Sequence, residues 1–266
     1  MLNTNQPVPW SRAFSVDGIS VNIPSMPEAV RAIITAVQQR DTFCVYTLNL
    51  DHFVKLQSAP GFHDAYRRAR FVTADGFPIV IMGRLAGVPV MRTTGADLVK
   101  PLCREAARHR MSVFLFGSTR LALANSVRRL TRRYTDLEFA GCLAPGPDFD
   151  PHSADADFAI ARIRRSGARI CFLALGAPKQ EMFAARCLDE LRGTALVCIG
   201  AALDFIGGTQ LRAPHYAQRL GLEWLWRMTK DPWRLGPRYA RCMAAVPRLV
   251  AQAIPQAVAA YRRQAV

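Results

Sequence analysis

Acidic residues are scarce in this chain. Twenty Asp and Glu stand against 35 Lys and Arg in 266 residues, which leaves a formal charge of +15 and an isoelectric point near 10.3. The surplus predicts an anionic partner: nucleic acid, anionic lipid head groups or a phosphorylated substrate. The cysteines, at 44, 103, 142, 171, 187, 198 and 242, include no C-x-x-C pair. Cys44, Cys171 and Cys198 lie in apolar runs, where a thiol acts as a small hydrophobe. A disulfide framework and a zinc site are thereby excluded, and a reducing compartment is expected. The five histidines are scattered without ligand spacing. The opening MLNTNQPVPWSR lacks a charged segment followed by an apolar one, so no signal peptide is predicted. No run of about 18 or more uncharged apolar residues occurs, so no spanning helix is predicted. Neither a Walker-type phosphate loop nor a G-x-G-x-x-G after a strand is found, which argues against a nicotinamide-dependent enzyme. Internal repeats and low-complexity tracts are absent as well.

What remains reads as an α/β protein. Half of the residues are hydrophobic, enough for a packed core. The runs 43-FCVYTLN-49, 112-SVFLFGS-118, 169-RICFLALG-176 and 195-ALVCIG-200 have the continuous apolar character of strands buried on both faces. Segments 96–108, 120–133 and 179–191 carry helical periodicity with basic outer faces. Strands alternating with helices predict a doubly wound, mainly parallel, Rossmann-like sheet covered on both faces. Ligands of such sheets bind beyond the carboxyl ends of the strands. Thr47, Asn49, Asp75, Gly117, Gly176 and Gly200 are expected on that edge. The turn-rich 141-GCLAPGPDFDPH-152 reads as a surface loop.

Character changes after residue 210, and the expected division is an α/β catalytic domain over 1–210 and a C-terminal appendage over 211–266. From Gln210 onward there are ten Arg and Lys against two acids. Trp224, Trp226 and Trp233 fall there among Arg227, Lys230 and Arg234. The segment 243-MAAVPRLVAQAIPQAVAAYRR-263, interrupted by Pro247 and Pro255, suits a helix lying in a membrane interface. It suits an amphipathic helix packed on its own core equally well. A third reading, stacking aromatics among Arg227, Arg234, Arg238 and Arg241, is a single-strand nucleic-acid surface on a non-enzymatic protein.

Two D-x-D triplets, 148-DFD-150 and 155-DAD-157, have the pattern that holds a divalent metal on a donor diphosphate. The first lies in a Pro-rich turn and the second opens a helix, where Asp favours exposed N–H groups, so no metal is assigned. Asp75, in 71-FVTADGFPIV-80, reads either as the cap of the next helix or as a general base on a sugar hydroxyl. The residue pattern favours the cap, and a helix dipole there would keep the carboxylate ionised.

Taken in order, 47-TLNLDHFVKL-56, 74-ADG-76, 92-RTTGADL-98, 114-FLFGS-118, 175-LGAPKQE-181, 200-GAALDFIGG-208, 212-RAP-214, 221-GLEWLWR-227 and 231-DPWR-234 resemble the WecG/TagA/CpsF family of bacterial glycosyltransferases. The resemblance implies transfer of a hexose from a UDP-sugar to a polyprenyl-diphosphate-linked saccharide, with inversion and without a metal or other cofactor. Asp75 matches the family's general base, and Thr47 and Asn49 are expected beside the reacting sugars. Arg92 and Gln180 are expected in the pocket, with Gly117, Ser118, Gly176, Lys179, Asp204 and Arg212 on the matching donor and acceptor motifs. Arg227, Arg234 and Arg238 match the positions expected near a diphosphate or the membrane. The N-L-D-H-F-V-K-L wording is closest to exopolysaccharide members of the xanthan glucosyltransferase kind; glucose, N-acetylmannosamine and N-acetylmannosaminuronate are all family donors. A peripheral protein on the cytoplasmic face of the bacterial inner membrane is expected, with an anionic membrane surface as partner, no nucleic acid, and a possible homo-oligomer.

Overall fold

The computed structural model describes residues 13–264; the expectation about the first twelve residues lies outside them. A two-stranded antiparallel hairpin, β1 (Phe14–Val16) and β2 (Ile19–Val21), precedes α1 (Met26–Gln38). The main sheet then begins with β3 (Phe43–Leu48), followed by α2 (Leu50–Ser58) and α3 (Pro60–Arg67), β4 (Phe71–Ala74), α4 (Phe77–Leu85) and α5 (Gly95–Arg108). Next come β5 (Val113–Gly117), α6 (Arg120–Arg133), β6 (Phe139–Leu143), α7 (Ala154–Ser166), β7 (Ile170–Ala174), α8 (Lys179–Glu190), β8 (Ala195–Cys198) and α9 (Ala202–Gly207). Three helices close the chain: α10 (His215–Arg219), α11 (Glu223–Lys230) and α12 (Pro232–Gln264).

The six main strands pair in parallel in the order β4-β3-β8-β7-β5-β6. Alternate side chains feed two cores. Cys44, Tyr46 and Leu48 pack with α2, α3, α4, α7 and α8 on one face, whereas Phe43 and Val45 pack with α1, α5, α6 and α9 on the other. Every residue of β3, β5, β7 and β8 is buried, which is why these strands read as continuous apolar runs. The helix after β3 covers one face and the helix after β8 covers the other. Neighbouring strands whose crossovers part in this way open a crevice at their carboxyl ends, where doubly wound sheets bind ligands.

Two readings of the sequence need correcting. The expected loop over 141–152 begins inside β6, an edge strand of part-exposed residues whose alternation with Gly and turn formers hides its pairing. Pro247 and Pro255 do not interrupt the last helix, since α12 runs 33 residues through them and Pro237. Each proline removes one backbone donor, and side-chain contacts hold the helix on the domain. Leu249 and Ala253 join the core shared with α2 and α4, and Gln252 and Gln256 accept from the backbone N–H groups of Asp17 and Ser15. The packed reading of this helix therefore holds, while its other face exposes Met243, Val250, Ile254, Val258 and Tyr261. Among the described residues no helix is long and apolar enough to cross a membrane.

Candidate active site

Asp75 follows β4 directly, and its N–H donates to the carbonyl of Leu48 at the end of β3 at 2.7 Å. The helix cap is Gly76, at φ +94°, and no side chain caps that helix. The capping role expected of Asp75 thus falls to a glycine, whose positive φ a side chain would strain. Asp75 is left half-buried at the sheet edge with its carboxyl free for other partners.

Four groups act on that carboxyl: Asn49, Arg92, Asp97 and Glu223. Asn49 caps α2, its Oδ1 accepting from the N–H of His52 at 2.9 Å. The same side chain favours the charged form of the Asp75 carboxyl. Segment 91–94 is pinned along β4: Thr93 N–H donates to Ala74 at 2.8 Å, and Thr73 Oγ1 donates to the Thr93 carbonyl at 2.8 Å. This places Arg92 where its charge acts on Asp75. Thr94 then caps α5, accepting from Asp97 N–H at 3.1 Å. Gly95 lets α5 start against the end of β8, where a Cβ would lie 2.8 Å from the Cys198 carbonyl oxygen.

Burial pushes the Asp75 carboxyl up to about 7, with Arg92 and the Asn49 hydrogen bond working to lower it and Glu223 and Asp97 to raise it. The dipole argument, which predicted a firmly ionised group, is overruled by desolvation. A carboxyl whose proton affinity is raised toward neutral pH is a better proton acceptor than an ordinary aspartate.

Glu181 is pushed by burial to about 7 as well, but it is fully enclosed. It accepts from Gln180 Nε2 at 2.8 Å, while Gln180 Oε1 accepts from the N–H of Gly200 at 3.1 Å. Gln180 thereby ties α8 to the turn after β8, and Glu181 sets the orientation of its amide. Being sealed from solvent, Glu181 has no path to a substrate.

The remaining expected residues divide into those on the same edge and those apart. Thr47 is buried in β3, its carbonyl accepting from Tyr66 Oη at 3.3 Å. Gly117 ends β5 at φ +115°, and Ser118, at φ +56°, donates through Oγ to Asp204 of α9 at 2.9 Å. Gly176 turns the chain after β7 at φ +73°. Lys179 reaches the Pro147 carbonyl at 3.5 Å. Arg212 lies 2.6 Å from Asp97 and 3.6 Å from Glu223, and Glu223 lies 3.5 Å from Arg92. Arg238 pairs with Asp51, Arg234 with Asp231 of its own turn, and Arg227 is exposed.

Glu223, Asp97 and Asp51 were not singled out from the sequence, although each sits inside a quoted motif. The D-x-D carboxylates do not gather. Asp150 Oδ1 accepts from His152 N–H at 3.0 Å, and Asp157, in the first turn of α7, pairs with Arg186. Among the described residues no three His, Cys, Asp or Glu form a metal-holding group.

The family model described as "Glycosyl transferase WecG/TagA/CpsF family" matches residues 14–263. The chain belongs to this family. Among curated proteins it is similar to an N-acetylglucosaminyldiphosphoundecaprenol N-acetyl-beta-D-mannosaminyltransferase of Bacillus spizizenii (strain ATCC 23059 / NRRL B-14472 / W23), with 27% identity over 81% of this chain and 80% of that protein. A protein of the same description from Bacillus subtilis (strain 168) is 28% identical over 65% of this chain and 66% of its own length. This WecG/TagA/CpsF glycosyltransferase therefore shares most of its length with enzymes whose names specify a diphosphate-lipid acceptor.

Proposed function

We propose that this glycosyltransferase moves a hexose from a UDP-sugar to a polyprenyl-diphosphate-linked saccharide, with inversion at the anomeric carbon and Asp75 as general base. The observation that carries the reading is Asp75 itself: a carboxyl at the end of β4, on the crevice edge, whose proton affinity burial raises to about 7 against the pull of Arg92 and Asn49. In the reaction Asp75 takes the proton of the acceptor hydroxyl as the oxygen attacks the anomeric carbon from the face opposite UDP. The C1–O bond to UDP breaks with its electron pair going to the diphosphate. Arg92 and Arg212, with backbone N–H groups at the start of α5, meet that growing negative charge. Guanidinium groups there do the work that a divalent metal does in other transferases.

The acceptor class rests on the names of the relatives, and the donor is of the glucose, N-acetylmannosamine or N-acetylmannosaminuronate type. The outward face of α12 supports a peripheral seat on an anionic membrane, taken here as the cytoplasmic face of the inner membrane, because exposed apolar side chains lie there among arginines. Exopolysaccharide or another envelope polymer is the expected product. Incubation with a panel of UDP-sugars and a short-chain lipid diphosphate carrying one sugar, read as UDP release, tests the proposal. One UDP-sugar turning over only with the lipid acceptor is the expected result; UDP release indifferent to the acceptor, or none with any donor, would overturn it.

A further inference from the structure

Helix α4, 77-FPIVIMGRL-85, begins just after Asp75 and Gly76 and carries a single charged residue, Arg84. Ile79, Val80, Met82 and Gly83 are buried, as a helix packed on a core requires. Phe77, Ile81 and Leu85 are not. They recur every fourth residue along the outward side and are 40%, 50% and 46% exposed. Outward positions of a surface helix are ordinarily polar. One exposed apolar side chain is common on any protein, but an unbroken row of them marks a binding surface.

Both ends of the row are fixed by packing. At the near end Phe77 lies against the turn before Glu223, since a Cβ on Gly221 would come 2.4 Å from the Phe77 ring. Glu223 is in turn tied to Arg92 and Arg212, so Phe77 stands at the crevice. At the far end the chain leaves α4 against the last helix, where a Cβ on Gly87 would come 2.8 Å from the Ala260 Cβ. Val258 and Tyr261, close to Ala260 in sequence, belong to the exposed apolar face of α12, proposed as the membrane seat. The row therefore joins the crevice to that seat.

We propose that Phe77, Ile81 and Leu85 form a track for the acceptor's polyprenyl chain, leading it from the bilayer at the end of α12 to the diphosphate and sugar at Asp75. The inference rests on the proposed acceptor class. A lipid whose diphosphate enters the crevice lays its first isoprene units on the protein beside the crevice, and those units need an apolar bed open along its length. Helix α4 offers one: at 1.5 Å per residue the row from Phe77 to Leu85 spans about 12 Å. A second copy of this chain is a poorer occupant. A stable dimer buries about 800 Å² per partner, far more than three half-exposed side chains in single file provide.

The test is calorimetric binding to the full-length protein, without vesicles, of two probes that share a diphosphate and differ in chain length: dimethylallyl diphosphate and farnesyl diphosphate, both below micelle-forming concentrations. Wild type should bind the longer chain at least about tenfold more tightly, which corresponds to roughly 55 Å² of apolar surface removed from water. Ile81→Gln with Leu85→Gln keeps good helix formers at two half-exposed positions and should bring the two affinities together. Equal affinities in wild type overturn the track, as does a preference that survives in the folded double variant. Should the double variant fail to fold, Leu85→Gln alone decides by the same ratio. A dimer in sedimentation that the double variant dissolves would give the row to a second copy and overturn the track as well. Binding is read without turnover. A chain preference in a protein that releases UDP from no donor would therefore defeat the transferase reading and leave the track standing.

Discussion

Arg238 of α12 forks onto Asp51 of α2: Nε donates to Oδ1 at 2.6 Å and Nη2 to Oδ2 at 2.7 Å. Lys55 adds a third contact to Oδ2 at 2.7 Å. Only 12% of the Asp51 side chain is exposed, so the carboxylate needs these cations. Burial works to raise its affinity for protons, but the hydrogen bonds from Arg238 and Lys55 prevail and leave it below the ordinary carboxylate range. Arg238, one of the three arginines expected near a diphosphate or the membrane, fastens the last helix to α2.

Asp51→Asn should therefore loosen α12. A planar, two-contact pair with one partner largely buried is worth more than a surface pair, and the loss should be about 1–3 kcal/mol. At this chain length that lowers the melting temperature by roughly 3–10 °C. Because the folded-state affinity is depressed, the stabilisation is present above the ordinary pKa of 3.8 and is lost as pH falls through the lower folded value. Thermal melts at pH 7 and below pH 3.8 check both parts, since the difference between variant and wild type should shrink in acid.

Asp75→Asn should reduce UDP-sugar turnover by about a hundredfold or more, the usual scale for a lost general base. The same change should not destabilise the fold. Asp75 has a folded pKa raised to about 7, so its favourable contribution is complete below 3.8 and is lost as pH rises through 7. Asparagine carries no such loss, and the variant should melt at or above the wild-type temperature at pH 8. An inactive enzyme with a lowered melting temperature at pH 8 would point to misfolding in place of lost chemistry.

Gly117→Ala tests the other end of the crevice. The glycine sits at φ +115°, and an added Cβ would lie 2.4 Å from the Ala174 carbonyl oxygen. A backbone neighbour cannot swing aside, so β5 and β7 must part or the turn must refold. Loss of about 2–4 kcal/mol is expected, together with the Ser118 to Asp204 hydrogen bond. A denaturant midpoint equal to wild type would show that the turn yields.

The doubly wound sheet was legible because its central strands are buried on both faces, so that 43–49, 112–118, 169–176 and 195–200 could not read as anything but core. The helix over 120–133 was equally clear from its periodicity and basic outer face, and in the structure Thr119 caps it. The hairpin escaped notice because each strand has three residues, too few for a period. Strand ends placed Asp75 and Asn49 on one edge. The pairing of Arg212 with Asp97 joins positions 115 residues apart, and nothing local in either segment announces it. The affinity of Asp75 was misjudged for the same reason, since local sequence shows a helix start and not the burial that decides the charge.

The outward face of α12 carries the last prediction. Met243, Val250, Ile254, Val258 and Tyr261 are exposed by 42–75% and recur at helical spacing. Trp233 near the helix start is 92% exposed, and Arg241 and Arg248 lie on the same helix. An exposed apolar face of this length, rimmed by cations, is suited to the boundary of an anionic bilayer. Ile254→Glu with Val258→Glu should weaken flotation with vesicles containing anionic lipid at least tenfold, because two carboxylates are then pressed against acidic head groups. Both side chains already face water, so the melting temperature should stay within a few degrees of wild type. Turnover of a soluble short-chain acceptor should persist, while turnover of a full-length lipid acceptor in vesicles should drop. Equal vesicle binding by the double variant would remove α12 from the membrane seat and leave it as a packing helix only.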